Sequence, residues 1–169
     1  MPMKLKFFTI VFIVLVIILI GLSFNKKTLP PLNMITIEGQ PITNQDLHGK
    51  VVLINFWATD CPGCINEMPE LINTYNDFKQ DGFEILAVSM FYDPPSRVMS
   101  FSKNYPLPFP VIMDIKKDII KNFNDVKLTP TSILVNHKGE IINTIIGEIE
   151  FDSFRQSLKN LLKDASEHS

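Results

Sequence analysis

The sequence predicts one α/β domain in which a mixed central β-sheet is flanked by helices, with an N-terminal β-hairpin and an inserted helix. Three observations predict it: apolar runs suited to buried strands alternate with stretches of helical periodicity, two strands close the domain as a hairpin, and 169 residues allow one domain of ordinary size. Hydrophobic residues make up 46% of the chain, which excludes a disordered protein. With 16 basic and 18 acidic residues and no basic cluster, we expect no nucleic-acid partner.

An apolar segment precedes the predicted domain. Lys4 and Lys6 are followed by an uncharged run over residues 7–24, which is apolar on every side and so lacks the stripe of a soluble helix. A bilayer is spanned by no fewer than about 17 residues, so we expect residues 1–24 to contain a transmembrane anchor. A cleavable secretory signal is the alternative, with Gly21-Leu22-Ser23 as its cleavage site. Either interpretation predicts that the rest of the chain is exported.

A short linker and a hairpin come next. Residues 25–33 contain Pro30-Pro31 and are predicted to form a semi-rigid linker between the membrane and a domain over residues 34–163. A small hairpin is predicted from residue 34 to residue 42, with Gly39 and Pro41 at its turn. Residues 164–169 are predicted to be a polar tail.

The remaining elements follow from hydrophobic patterning. Strands are predicted where apolar residues run continuously or follow a turn, at residues 51–55, 83–90, 111–113, 132–135 and 140–146. Helices are predicted where apolar residues recur every three or four positions, at residues 65–78, 97–104, 118–123 and 151–162. Strand–helix–strand alternation implies parallel pairing, and the closing hairpin adds antiparallel strands, so the sheet is predicted to be mixed.

Both cysteines of the chain lie where the first long strand ends and the first long helix begins, in Cys61-Pro62-Gly63-Cys64. Backbone N–H groups at a helix start are unpaired and the helix dipole favours an anion there, so we expect the pKa of the Cys61 thiol to be lowered. Cys64 lies one turn into the helix, where it is shielded but close enough to Cys61 to form a disulfide. The pair therefore predicts a redox-active disulfide.

Two other interpretations of the cysteines are weaker. A structural zinc site would need further ligands, and His48, His137 and His168 have no ligand spacing. A Pro-Gly spacer at a strand-to-helix junction is also not typical of two cysteines packed in a core. We accordingly expect no metal and no resident cofactor.

Several motifs in order resemble one known family. Residues 55–64 read Asn-Phe-Trp-Ala-Thr-Asp-Cys-Pro-Gly-Cys and are followed by Glu67-Met-Pro69, while His48-Gly49-Lys50 precedes the first long strand and Leu128-Thr-Pro-Thr-Ser132 precedes the closing hairpin. Together they resemble the thioredoxin superfamily, specifically its membrane-anchored TlpA/ResA-type branch, from residue 34 to about residue 162. The resemblance implies a thioredoxin fold and thiol–disulfide exchange outside the cytoplasm.

The resemblance also implies partners and a location. Such proteins usually reduce disulfides in other proteins and receive electrons from a membrane donor of the DsbD/CcdA type. We therefore expect a single-pass protein of the bacterial cytoplasmic (inner) membrane, anchored through residues 7–24, with its thioredoxin domain on the periplasmic or extracytoplasmic side.

Roles for individual residues follow from the same resemblance. Cys61 matches the nucleophile and Cys64 the resolving thiol. Pro130 matches the family's cis-proline, so we predict a cis Thr129–Pro130 bond that leaves the Thr129 backbone free to pair with a client strand. Trp57, Thr129 and Pro130 are the candidate client-binding residues.

Glu67 is the third candidate catalytic residue. It follows Cys64 by one helical turn, and in the resembling branch this glutamate tunes the ionisation of the cysteines. A buried carboxylate could take the Cys64 proton when that thiol attacks a mixed disulfide. The alternative is a surface glutamate like its neighbour Glu70.

Two positions depart from the family pattern. Asp60 stands before Cys61, where the family commonly has Trp. Its like charge opposes thiolate formation and should make the disulfide harder to reduce, which suits a reductant. Asn55 occupies the place of cytoplasmic thioredoxin's buried aspartate and cannot act as a base, which shifts that role toward Glu67.

The predicted activity is reduction of protein disulfides by this dithiol. An oxidase or isomerase of protein disulfides is the alternative from the same chemistry, and a metal- or haem-delivery protein with thiol ligands is the alternative from another class. The client stays open among apocytochrome c, as in cytochrome c biogenesis, another thiol oxidoreductase and misoxidised proteins in general.

Overall fold

The structure is a computed structural model that describes residue 12 and residues 27–167. Its elements occur in the predicted order, with the last helix extending through most of the predicted polar tail. They are β1 (Asn33–Ile35), β2 (Pro41–Thr43), β3 (Val51–Trp57), α1 (Pro62–Phe78), a 3-10 turn (Lys79–Asp81), β4 (Phe83–Ser89), α2 (Pro95–Asn104), β5 (Val111–Met113), α3 (Asp118–Asn122), β6 (Thr131–Val135), β7 (Ile141–Ile146) and α4 (Phe151–Glu167).

Five strands form one mixed sheet in the order β5-β4-β3-β6-β7, and β1 and β2 form a separate antiparallel hairpin. β3 pairs in parallel with β4 and β4 with β5, whereas β6 is antiparallel to both β3 and β7. The prediction of a mixed sheet with an N-terminal hairpin is confirmed. This arrangement is the thioredoxin fold.

Every residue of β3 is buried because both faces of the sheet are covered. On one face, Val51, Leu53 and Trp57 pack in a core that includes residues of α1 and α4. On the other face, Val52, Ile54 and Phe56 pack in a core that includes residues of the hairpin and α3. Alternate side chains of one strand thus serve two cores, as the pleat of a strand requires.

The first described residues lie on the domain. The Ile141 amide donates to the Lys27 carbonyl at 2.8 Å, the Leu29 amide donates to the Gly139 carbonyl at 2.7 Å, and Thr28 forms a β-bridge with Glu140. Residues 27–29, here called the strap, therefore cover the turn between β6 and β7, although they belong to the predicted linker.

None of the helices within residues 27–167 is long and apolar enough to cross a membrane. The predicted anchor over residues 7–24 falls outside the described residues, apart from Phe12.

Candidate active site

The two cysteines lie at the junction between β3 and α1. Cys61 is the N-cap of α1, with extended backbone angles, and Pro62 is the first helical residue, where proline is favoured because its missing N–H would be unpaired. The two cysteines form a disulfide with a Cα–Cα distance of 5.3 Å. Cys61 is partly exposed and Cys64 is fully buried, so a client can reach only the first sulfur directly.

The Cys61 sulfur also caps the helix. It accepts a hydrogen bond from the Cys64 backbone N–H at 3.2 Å. Such a contact, together with the dipole of a 17-residue helix, stabilises negative charge on this sulfur once the disulfide is reduced.

Glu67 is buried one helical turn past Cys64 on α1, with only 3% of its surface exposed. Asn55 Nδ2 donates to its Oε1 at 2.9 Å, and the Ile149 backbone N–H donates to its Oε2 at 3.2 Å. Burial raises the pKa of Glu67 above that of an ordinary glutamate, and the negative charge of Glu148 acts in the same direction, while both hydrogen bonds act against the shift. The result is a buried carboxylate that holds a proton more readily than an exposed one.

Glu67 is not a surface glutamate, but its neighbour Glu70 is. Glu70 is exposed and forms an ion pair with Arg155 of α4 at 2.9 Å. The two glutamates are one turn apart on α1, but Glu67 faces the sheet and Glu70 faces solvent.

Asn55 links Glu67 to the sheet. Its Nδ2 also donates to the Ser132 Oγ at 2.9 Å, and all three side chains are buried. An amide donor at this position orients the carboxylate without adding a second buried charge.

The peptide bond between Thr129 and Pro130 is cis, as predicted. Pro130 is buried and its carbonyl accepts from the Gly147 N–H at 2.9 Å, while the Thr129 hydroxyl lies 3.3 Å from the Tyr92 hydroxyl. Within the part of the chain that the structure describes, the Thr129 backbone N–H and C=O have no hydrogen-bond partner. Both groups are thus available to an extended peptide.

Trp57 lies in the core. Its side chain has no exposed surface, and its ring lies 5.1 Å from the Phe101 ring of α2. The prediction that Trp57 contacts a client does not fit this burial. The Trp57 side chain lies on the face of β3 that packs against α1 and α4, in the same core as Cys64.

Two acidic residues near the cysteines were missed by sequence reasoning. Asp93 follows β4, is buried, and accepts two 2.6 Å hydrogen bonds from the backbone N–H and hydroxyl of Thr59 in the turn before Cys61. Glu148 follows β7 and lies against Gly63. For Asp93 the available signal was its place after a parallel strand, since the carboxyl ends of parallel neighbours meet at one edge.

No three His, Cys, Asp or Glu side chains are grouped to hold a metal ion anywhere in the described residues.

A thioredoxin fold that carries a disulfide at a helix start, with one sulfur partly exposed and the other buried, together with a cis-proline before β6, defines a thiol–disulfide oxidoreductase. The comparisons with known proteins give the same class. The sequence profile of the Redoxin family matches residues 24–162, and the chain belongs to this family.

Named relatives and solved structures are similar over most of the chain. This chain is 38% identical to the thiol-disulfide oxidoreductase ResA of Halalkalibacterium halodurans over 111 residues. The match covers 66% of this chain and 62% of that protein. The chain is 35% identical over 126 residues to the ResA of Bacillus subtilis, covering 75% of this chain and 69% of that protein. The solution structure of a protein described as a thioredoxin from Neisseria meningitidis has 40% identity and a TM-score of 0.76, with 82% of this chain and 92% of that chain covered.

Proposed function

We propose that this thiol–disulfide oxidoreductase works as a reductase of disulfides in exported proteins, with Cys61 as nucleophile and Cys64 as resolving thiol. The observation that carries the proposal is the difference in exposure across the disulfide: Cys61 is accessible and Cys64 is not. An attacking thiol must meet the client, whereas a resolving thiol needs to reach only its partner sulfur.

The exchange takes place in two steps. The Cys61 thiolate attacks one sulfur of a client disulfide, a Cys61–client bond forms, and the other client sulfur leaves as a thiolate. Cys64 then loses its proton and attacks the Cys61 sulfur, which restores the Cys61–Cys64 disulfide and releases the second client thiol. Two electrons pass from the dithiol to the client.

Glu67 is the proposed acceptor of the Cys64 proton. It lies one turn beyond Cys64 on the same helix, is also buried, and has a pKa that burial raises above that of an ordinary glutamate, as suits a general base. Asn55 and the Ile149 amide hold the carboxylate in place.

The client is proposed to bind as an extended segment beside Pro130. The unpaired backbone groups of Thr129 are suited to add one strand-like pair of hydrogen bonds, which is how exposed backbone edges capture peptides. Such pairing would place a client sulfur next to Cys61 whatever the client sequence is.

The direction and the location are part of the proposal. The exposed Asp60 next to Cys61 disfavours the thiolate and so favours a reducing dithiol. We propose that residues 7–24 anchor the chain in the bacterial cytoplasmic membrane, that the domain faces the extracytoplasmic side, and that a membrane donor of the DsbD/CcdA type supplies electrons. Apocytochrome c is one client consistent with this chemistry.

The reduction potential tests the direction of exchange. The full chain in detergent is equilibrated in thiol–disulfide buffers of graded potential while fluorescence is recorded from Trp57, the one tryptophan of the sequence. We expect a midpoint below about −230 mV, in the range of reductants. A midpoint near about −150 mV would favour the oxidase or isomerase alternative. The absence of any transition would favour thiols that serve as metal ligands.

The roles of the two cysteines are tested by trapping. With a disulfide-containing client, Cys64→Ser is expected to accumulate a mixed disulfide because the resolving step is lost, and Cys61→Ser is expected to form none. Equal trapping by both variants would contradict the assignment.

A further inference from the structure

We propose that Glu148 is a specificity-determining residue of the exchange reaction and that it favours client disulfides held in cationic segments. The inference rests on the proposed function, because it names the class of client that the same site selects.

Glu148 lies against the segment that carries the two cysteines. Its Oε1 and Cγ lie 3.0 Å and 3.2 Å from where a Cβ would stand on Gly63, between the two cysteines. The other described glycines have a positive φ and no atom within 4 Å of where a Cβ would stand, whereas Gly63 has no positive φ. The Glu148 side chain therefore lies directly against Gly63, the residue that precedes Cys64.

The backbone on either side of Glu148 is held in place. The Gly147 N–H donates to the Pro130 carbonyl, and the Ile149 N–H donates to buried Glu67. The backbone of residue 148 is thus fixed between Pro130, beside which the client is proposed to bind, and the Glu67 carboxylate. A client segment that pairs with Thr129 and reaches Cys61 must pass close to the Glu148 side chain.

The side chains near the disulfide carry negative charge. Glu148 and Asp60 are exposed, and within residues 27–167 neither side chain has an ion pair or hydrogen bond. The nearby Asp93 carboxylate is bonded only to Thr59 among the described residues. Two carboxylates without a cationic partner among the described residues thus flank the cysteine pair, Asp60 next to Cys61 and Glu148 against Gly63, so a Lys- or Arg-rich segment gains attraction there and an acidic segment is repelled.

Paired peptides provide the test. The full chain in detergent is reduced and mixed with one of two disulfide peptides that are identical except for Lys or Glu residues flanking the cysteines, at low ionic strength. We expect the Lys peptide to be reduced faster by about fivefold or more, as expected for one close charge contact near water. This ratio should fall toward one in Glu148→Gln and reverse in Glu148→Lys, and about 0.5 M salt should suppress it in the unsubstituted chain.

Glu38→Lys is the matched control. Glu38 is an exposed glutamate at the hairpin turn, so this substitution changes the net charge equally but away from the disulfide. An unchanged ratio in Glu148→Lys would overturn the proposal, and an equal change in Glu38→Lys would assign the effect to net charge and overturn it as well. If the unsubstituted chain reduces neither peptide, the result would instead contradict the proposed function. Glu148→Gln, which nearly preserves shape, keeps the test valid if the Lys variant does not fold.

Discussion

At the residue scale, the site depends on where two glutamates of one helix are placed. Glu67 and Glu70 have the same side chain and the same helical context, but packing against the sheet removes water from the first and leaves the second in solvent beside Arg155. Desolvation raises the pKa of the Glu67 carboxyl, as proton exchange with Cys64 would require.

The raised pKa of Glu67 predicts a pH-dependent stability. Because its pKa in the folded chain exceeds the reference value of 4.5, its contribution to stability is fully present below that value and is lost as the pH rises through the folded pKa. The free energy of unfolding of the oxidised chain, measured relative to Glu67→Gln, should therefore decrease as the pH rises above 4.5 and level off once the pH exceeds the folded pKa of Glu67. Urea titrations at several pH values measure it.

Glu38→Gln controls for the loss of one surface carboxylate in the same titrations. If the two variants show the same trend with pH, the trend does not originate in the burial of Glu67. In activity, Glu67→Gln is expected to slow resolution of the mixed disulfide and to shift the pH profile of the rate, whereas a purely packing role would leave that profile in place.

At the scale of single elements, α1 and the strap are attached to the sheet by different kinds of contact. α1 presents Cys61 as its cap and buries Cys64, Glu67, Met68 and Leu71 on one face, so its start is fixed by a core as well as by a cap. The strap is held by two backbone hydrogen bonds and a bridge at the turn between β6 and β7, with Leu29 packed on the second core.

Removal of the strap is predicted to lower stability without changing redox chemistry. A chain that begins at Pro30 lacks only the strap and its Leu29 packing, and it loses the two hydrogen bonds to Gly139 and Ile141, each worth about 0.5–1.5 kcal/mol, relative to a chain that begins at Lys27. Chemical denaturation should show a loss of about 1–3 kcal/mol with an unchanged midpoint potential. A shifted potential would mean that the strap influences the disulfide, and equal stabilities would mean that its hydrogen bonds contribute nothing.

At the scale of the whole molecule, the chain has two poles. One pole is the end of β3, which the disulfide follows. The other pole is the start of β3. Because β6 runs antiparallel to β3, the turn after β6, which the strap covers, lies at this second pole. A seven-residue strand is roughly 20 Å long. If residues 7–24 form the anchor, the domain is attached to the membrane at the pole opposite Cys61, and the site faces clients on the extracytoplasmic side.

Membrane fractionation tests this organisation. We expect the full chain to stay in the membrane fraction after an alkaline wash, with its mass unchanged, because residues 7–24 are long and apolar enough to span a bilayer. A shortened protein in the soluble fraction, beginning near residue 24, would show that the segment is a cleaved signal instead.

The sequence by itself determined the fold class, the order of strands and helices and the place of the cysteines, whereas the cis bond before Pro130 was implied by the family resemblance. These features are expressed in local patterns: periodicity, a helix start after a strand, and a motif of adjacent residues. Tertiary structure alone decided that Trp57 is inaccessible, that Glu67 is buried, that Asp93 binds Thr59 in the turn before Cys61, and that Glu148 lies against Gly63. The reason is separation along the chain, since the Thr59–Asp93 contact joins residues 34 positions apart and the Glu67–Ile149 contact joins residues 82 positions apart. Contacts of this kind leave no local pattern, because packing of the sheet and its helices brings the partners together.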